Sequence, residues 1–257
     1  TRNPVVFLIS VDWFFMSHFQ HLARRVISDG GAAILASQLG HASARLAKDG
    51  VTLVDLPFRR GGLQSRGLAA SVRTVEQLIS ELGEPVLHAF GNFGVLVGAI
   101  ATRRFPNIRR VYTITGRGYM AVAKSLPIRA FSYSTCLFNR VVADTPNTRW
   151  IVENTDDIFQ SGLSRAQRQD RVAIVGGAGV DPNFFVQTKL PPRPPLRIGF
   201  VSRLIWSKGL DIAVRAVELA RSRGIDVTLT VAGAADIGNP RAFSAAQLAS
   251  FASIPGV

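Results

Sequence analysis

The sequence predicts an α/β protein whose strands lie parallel in a doubly wound sheet, with the chain divided between two domains. Three observations predict it. Short apolar runs of strand length alternate with stretches whose apolar residues recur at helical spacing, the pattern of successive strand–helix units. Several runs are apolar at consecutive positions rather than at alternate ones, as strands covered on both faces are. Pro191, Pro192, Pro194 and Pro195 then break the alternation. Such a run suits neither a central strand nor a helix interior, and the alternation resumes after it.

Taken in order, residues 5–10 form a buried strand. A short aromatic loop follows, and Ser17 is placed as the N-cap of a helix in which Phe19, Leu22, Ala23 and Val26 share one face. Asp29, Gly30 and Gly31 stop that helix. Residues 32–36 and 51–56 read as strands, 68–82 as a helix, 86–88 as a short strand and 94–104 as a helix with small residues on one side. Residues 109–115 and 141–143 read as further strands. Thr145 and Pro146 are expected to open a helix, since a capping hydroxyl and a proline at the first helical position cost no hydrogen bond. Residues 172–175 are the last strand of a first domain spanning 1–185. In a second domain, 186–257, a strand at 196–202 and a loop at 203–208 lead to a helix. Leu210, Ala213, Val214 and Val217 mark that helix's apolar stripe, and another strand follows at 228–232. Two strand–helix units are fewer than the roughly five or six strands of a doubly wound half, so the second domain is expected to be incomplete.

Composition narrows the function. A hydrophobic fraction of 47% with 16 Phe supplies a core, while one Cys and two Met exclude a disulfide framework and a Cys-rich metal site. A cytoplasmic setting follows as the expectation. Residues 5–16 are interrupted by Asp12, and 86–101 by His88 and Asn92, so neither stretch provides the ~20 apolar residues of a membrane span. No signal peptide is expected, because no charged n-region followed by a small-residue cleavage site precedes the first apolar run. The balance of 30 Lys and Arg against 17 Asp and Glu, a formal +13, favours an anionic partner: a phosphate ligand, an anionic membrane surface or a nucleic acid. The basic residues are scattered and not interleaved with aromatics, so a nucleic acid is not expected.

The segment from Phe200 to Leu210 carries the chemistry. It sets Arg203 and Lys208 in one strand-to-helix loop at the carboxyl edge of a parallel sheet, where open α/β folds bind ligands. The helix beginning near Gly209 aims its free N–H groups at the same loop, an Arg fork can hold two phosphate oxygens, and a Lys adds a mobile charge. Spacing alone leaves a second reading equally open, two solvated loop cations. Asp12 could cap the following helix or touch a substrate. His18 and His88 could be polar cleft groups or hydrogen-bonded structural residues, and the Trp13, Phe14, Phe15 cluster could meet a lipid or pack in the core. Cys136 has no partner Cys. No His, Cys or carboxylate spacing suggests a metal site.

Segment 200–210 resembles the "RL…KG" signature of glycosyltransferase family 4, in the form shared by members that build bacterial O-antigen, capsule and other glycans. Val11 to His18 is similar to that group's first loop, and Tyr112 to Tyr119 to its "TITGLGY" segment. Thr145 to Arg149 is a loose form of "NPDDR", Gly176 to Asp181 resembles "PGSGVD", and Gly238, Asn239 and Pro240 match a loop after the second strand of the donor-side domain. The order of these segments is also the family's. The chain departs from it at Thr115, where many relatives carry His, and at Asn147 and Thr148, where the acids stand; the family's paired glutamates would fall after Val257.

The resemblance implies a GT-B-like fold of two Rossmann-like domains. Arg203 and Lys208 would grip the donor diphosphate, with Thr115, Gly116, Gly118, Gly177, Gly179, Asp181, Asp12 and His18 lining the donor and acceptor cleft. For the glycines, ordinary turn geometry stands as the alternative. The implied activity is a retaining transferase moving a hexose or N-acetylhexosamine from a UDP-sugar to a lipid-linked saccharide, with no cofactor and no metal, at the inner face of a membrane. The rival readings are a non-catalytic binding or scaffold relative and a sugar-nucleotide epimerase of similar architecture. A dehydrogenase is disfavoured, because no G-x-G-x-x-G turn follows the first strand.

Overall fold

The computed structural model describes residues 3–58, 65–115, 126–234 and 241–257. The chain divides into two compact units, Thr1–Val180 and Asp181–Val257.

The first unit is built on a seven-stranded, wholly parallel sheet: β1 (Val5–Val11), β2 (Ala33–Gln38), β3 (Thr52–Asp55), β4 (Val86–Phe90), β5 (Arg109–Ile114), β6 (Thr148–Val152) and β7 (Val172–Ile174). Their spatial order is β3-β2-β1-β4-β5-β6-β7. The chain thus winds outward from β1 to β3, then returns to the other side of β1, which puts a topological switch point between β1 and β4. This is the α/β, Rossmann-like, doubly wound class that the sequence predicts. Alternate residues of β1, β2 and β4 feed two cores, and β5 and β6 feed one of them. Val6, Leu8, Ile34, Ala36, Leu87, Tyr112 and Trp150 face one layer; Phe7, Ile9, Ala33, Leu35 and Phe90 face the other. Both faces being apolar is what made the strands continuous runs in the sequence.

The helices are α1 (Asp12–His18), α2 (Gln20–Ser28), α3 (Ser43–Lys48), α4 (Ser65–Leu82), α5 (Gly91–Ala101), α6 (Leu126–Phe138), α7 (Thr155–Gln160) and α8 (Ser164–Arg168). α5 buries Val95 and Val97 in the core and comes closest to the sheet at two glycines. A Cβ on Gly94 would stand 2.7 Å from the Leu8 carbonyl oxygen, and one on Gly98 would touch Leu87 and Leu8 at 3.0 and 3.4 Å, so the small-residue face lets this helix press on the sheet.

Three local expectations are corrected. The aromatic segment after β1 is helical, because Phe15 is fully buried against Phe7 and Phe90 and a helical turn is what delivers it there. Ser17 accordingly lies inside α1 and donates to the Phe14 carbonyl (3.2 Å), while Phe19 occupies the N-cap of α2 without any side-chain cap. Residues 141–143 are not a strand but the end of a π-helical turn, Asn139–Ala143. Nor does Thr145-Pro146 open a helix. It forms the turn into β6, held by Thr145 and Thr148 hydroxyls 2.8 Å apart and by a bond from the Thr148 hydroxyl to the Ala143 carbonyl (3.0 Å). The strand that follows buries Trp150 completely.

Two buried arginines stitch this end of the unit. Arg110 donates to Thr102 Oγ1 (2.8 Å), Thr145 Oγ1 (2.9 Å) and the Phe105 carbonyl (2.9 Å), and burial lowers its affinity for its proton. Arg171 pairs with Asp144, donating at 2.9 Å to Oδ2, while Trp150 Nε1 donates to Oδ1 at 3.1 Å.

The second unit holds β8 (Leu196–Val201) and β9 (Val227–Ala232), parallel and in register from Leu196–Val227 to Val201–Ala232. With them are α9 (Leu210–Ser222) and α10 (Ala245–Ala252). α10, which the sequence reading did not include, starts at a capping box of Ser244 and Gln247. Leu204, Leu210, Val214, Val217, Val227, Leu229 and Phe243 form the core of this unit.

Candidate functional site

The charged loop of the second unit is a fixed platform. Between β8 and α9 the chain buries Leu204 and Ile205 and exposes Arg203 and Lys208. The Leu204 N–H donates to the Ala234 carbonyl (3.0 Å), the Trp206 N–H to the Arg241 carbonyl (2.9 Å) and the Phe243 N–H to the Leu204 carbonyl (3.1 Å). Trp206 lies on Phe243 with ring centroids 4.5 Å apart. Lys208 closes a 3-10 turn, Trp206–Lys208, and Gly209 at φ 76° turns the chain directly into α9. Only glycine takes that left-handed conformation without strain, which explains a Gly at this junction. α9 has no side-chain N-cap, so its first N–H groups have no partner of their own helix and carry the positive end of the helix dipole. Two exposed cations and an uncapped helix start therefore share one loop at the carboxyl end of β8. Chemically, that arrangement can receive an anion with two or more oxygens.

In the first unit the candidate residues divide. Asp12, the first residue of α1, neither caps that helix nor faces solvent. Its Oδ2 accepts from the Gly40 N–H (2.7 Å) and the Ser43 hydroxyl (2.8 Å), so it ties the end of β1 to the turn before α3. Thr115 follows β5 beside the switch point, and its Oγ1 would lie 3.3 Å from a Cβ on Gly91, which opens α5 at φ 65°. Gly91 was not singled out from the sequence; its signal is a glycine between a strand and a helix of small residues. His18 ends α1 exposed, 2.6 Å from the Ser17 hydroxyl and with its ring 4.3 Å from that of Phe14, the two planes tilted by 43°. Glu153, just after β6, is a second residue the sequence reading missed. Burial, then the neighbouring Asp157, raise its pKa, and His18 opposes the shift.

Gly177 and Gly179 adopt φ 121° and 74° with open space where a Cβ would be, as turn geometry requires. Asp181 belongs to the second unit and makes a turn of its own, accepting from the Asn183 N–H at 2.9 Å. Gly116 and Gly118, with Gly238, Asn239 and Pro240, lie outside the described residues. His88 is a structural residue within β4: it shares a hydrogen bond with Thr113 Oγ1 (2.8 Å) and stacks on Phe90 at 4.2 Å. Burial lowers its pKa to about 3, which keeps it neutral. Among the described residues no group of three His, Cys, Asp or Glu side chains could hold a metal ion, and no helix is long and apolar enough to cross a membrane.

No protein-family model matches the sequence, and no curated protein matches it. Solved structures do match in fold. A glycosyltransferase from Rickettsia africae aligns at TM-score 0.65 and 14% identity over 91% of this chain and 61% of its own. Anabaena HepE, solved with UDP-glucose, aligns at 0.67 and 17% over 97% and 65%. The UDP-N-acetylglucosamine 2-epimerase of Rickettsia bellii aligns at 0.51 and 10% over 99% and 66%. The chain thus has the GT-B-like, Rossmann-type fold of these structures, and it spans 61–65% of the length of the two transferase structures.

Proposed function

We propose that this chain is the larger part of a retaining glycosyltransferase of the family 4 type, which moves a hexose or N-acetylhexosamine from a UDP-sugar to a lipid-linked saccharide in glycan assembly. One observation carries the reading: Arg203 and Lys208 stand exposed on a loop whose backbone is anchored at Leu204, Trp206 and Phe243, at the uncapped start of α9. The similarity in fold to HepE, a protein solved with UDP-glucose, supports a nucleotide-sugar as the ligand.

In this reading the bond between the anomeric carbon and the β-phosphate oxygen breaks as the acceptor oxygen bonds to the same face of that carbon, and the departing phosphate oxygen takes the acceptor's proton. Negative charge grows on the diphosphate during that step. In this reading Arg203, Lys208 and the α9 N–H groups stabilise that charge, and the rest of the protein's contribution is alignment. No nucleophilic side chain is required.

Calorimetric titration with UDP tests the reading. Binding should saturate, and Arg203→Ala and Lys208→Ala should each weaken it by about 1.5–3 kcal/mol, the scale of one charge-assisted hydrogen bond. Unchanged affinity in both variants would remove the donor site. The epimerase fold match favours one second reading. Incubation with UDP-N-acetylglucosamine alone, without acceptor, separates the two: an epimerase alters the sugar's stereochemistry, and a transferase does not.

A further inference from the structure

We infer that Arg241 is a third cation of the diphosphate site, brought to Arg203 and Lys208 from a separate segment of the chain. The inference deepens the donor-site reading and rests on it.

Arg241 lies between β9 and α10, far from the β8–α9 loop along the chain. A short antiparallel pairing closes that distance. Ile205 and Ala242 form a β-bridge, framed by the Trp206 N–H donating to the Arg241 carbonyl (2.9 Å) and the Phe243 N–H donating to the Leu204 carbonyl (3.1 Å). Residues opposite one another in such a pair project to the same side. Leu204 and Phe243 are one opposed pair, and both are buried in the core of the second unit. That burial fixes the register, since a slip of one residue would turn Phe243 out of the core. Trp206 and Arg241 are the next opposed pair on that side, and both reach solvent: Arg241 is exposed, and Trp206 is 39% exposed with its ring resting on Phe243. Trp206 begins the 3-10 turn that Lys208 ends. The core residue Phe243 therefore holds Arg241 at the rim of the loop that carries the other two cations.

Charge and chemistry point the same way. Residues 202–210 and 241–244 contain Arg203, Lys208 and Arg241 and no Asp or Glu; the carboxylate that follows, Asp211, belongs to the first turn of α9. Arg203 and Arg241 each keep an interaction within the protein, which a guanidinium with five N–H donors can do while still offering a fork to phosphate oxygens. In a sugar nucleotide each phosphate carries a single negative charge, and the β-phosphate gains another as the sugar departs. Arg241 supplies the positive charge that matches this gain.

The test is titration calorimetry of the full chain with UDP and with inorganic pyrophosphate, which presents two phosphates without uridine or sugar. Pyrophosphate should compete with UDP. Arg241→Ala should weaken both by roughly ten- to hundredfold, and Arg241→Lys should recover part of that loss, because the charge returns without the fork. Both variants should keep the parent's circular dichroism and Tm, since the Arg241 carbonyl that anchors the pairing is untouched. Unchanged affinities in Arg241→Ala, alongside weakened ones in Arg203→Ala, would overturn the third cation and leave the donor site standing. Weaker UDP binding with pyrophosphate unaffected would move Arg241 onto the uridine and overturn its place on the diphosphate. A lowered Tm with no recovery in Arg241→Lys would make the residue structural and overturn the inference as well. A parent that binds neither UDP nor pyrophosphate would strike the donor site itself, and this inference with it.

Discussion

Asp12 sits beside the switch point, where a substrate contact is the tempting assignment, yet its geometry describes a tether. The carboxylate is 1% exposed and accepts two hydrogen bonds, at 2.7 Å from the Gly40 N–H and 2.8 Å from the Ser43 hydroxyl. Hydrogen bonds to a charged group contribute about 1.5–3 kcal/mol each. Asp12→Ala removes both, but the Gly40 N–H keeps Ser43 Oγ as a second acceptor at 3.2 Å, so the expected loss is about 3 kcal/mol. For a unit of this size, that corresponds to roughly 6–12 °C in Tm at 2–4 °C per kcal/mol. Asp12→Asn can keep an acceptor oxygen for both donors but removes the charge, and should lose about half as much. Urea unfolding followed by tryptophan fluorescence, with calorimetric Tm, measures both variants. An Ala variant within about 0.5 kcal/mol of the parent, the scale of a neutral surface change, would refute the tether. Unchanged stability with impaired sugar transfer would move Asp12 onto the substrate.

Three further outcomes are expected. His88 has a folded pKa of about 3 against an ordinary 6.5, so below pH 6.5 the unfolded chain takes up a proton that the folded chain refuses; stability should fall at up to about 1.4 kcal/mol per pH unit there, and His88→Gln should lose that component of the slope. A parent whose acid limb matches the variant's would contradict this. Arg171→Leu strands the buried Asp144 carboxylate, which retains only Trp150 Nε1 at 3.1 Å among the donors described above, and should cost about 3–5 kcal/mol; a smaller cost than that of Asp144→Leu, Arg171→Leu together would show that the carboxylate is satisfied elsewhere. Gly162→Ala forces a Cβ to 2.7 Å from Cys136 at φ 76° and should destabilise by about 2 kcal/mol or more, readable as a shifted urea midpoint.

The fold was legible where burial is two-sided. β1 and β2 are apolar on both faces and announced themselves, while β6 did not: Thr148 and Arg149 disguise it, and its fully buried apolar anchors are only Trp150 and Val152. The π-helical turn misled for the converse reason, since Val141 and Val142 have strand-forming side chains but end a helix that continues from Phe138. Thr145 and Pro146 suit a helix start and a turn equally, and the contact that decides, Thr145 with Thr148, becomes visible only when the chain is folded. At the site, Arg203, Lys208 and Gly209 were legible because a local segment contains the loop, the cations and the helix start. Glu153 was not, since its shift arises from packing and from Asp157 and His18. Net charge was the least specific signal: Arg110 and Arg171 are counted in the +13, yet both are buried structural residues.

The central claim is that the β8–α9 loop holds a diphosphate, and a crystal structure with a UDP-sugar, of this chain or of a longer protein containing it, tests that most directly. The account predicts the diphosphate oxygens within about 2.7–3.2 Å of the Arg203 guanidinium, the Lys208 ammonium or the first N–H groups of α9. A nucleotide bound elsewhere, with Arg203 and Lys208 in contact with solvent alone, would contradict it.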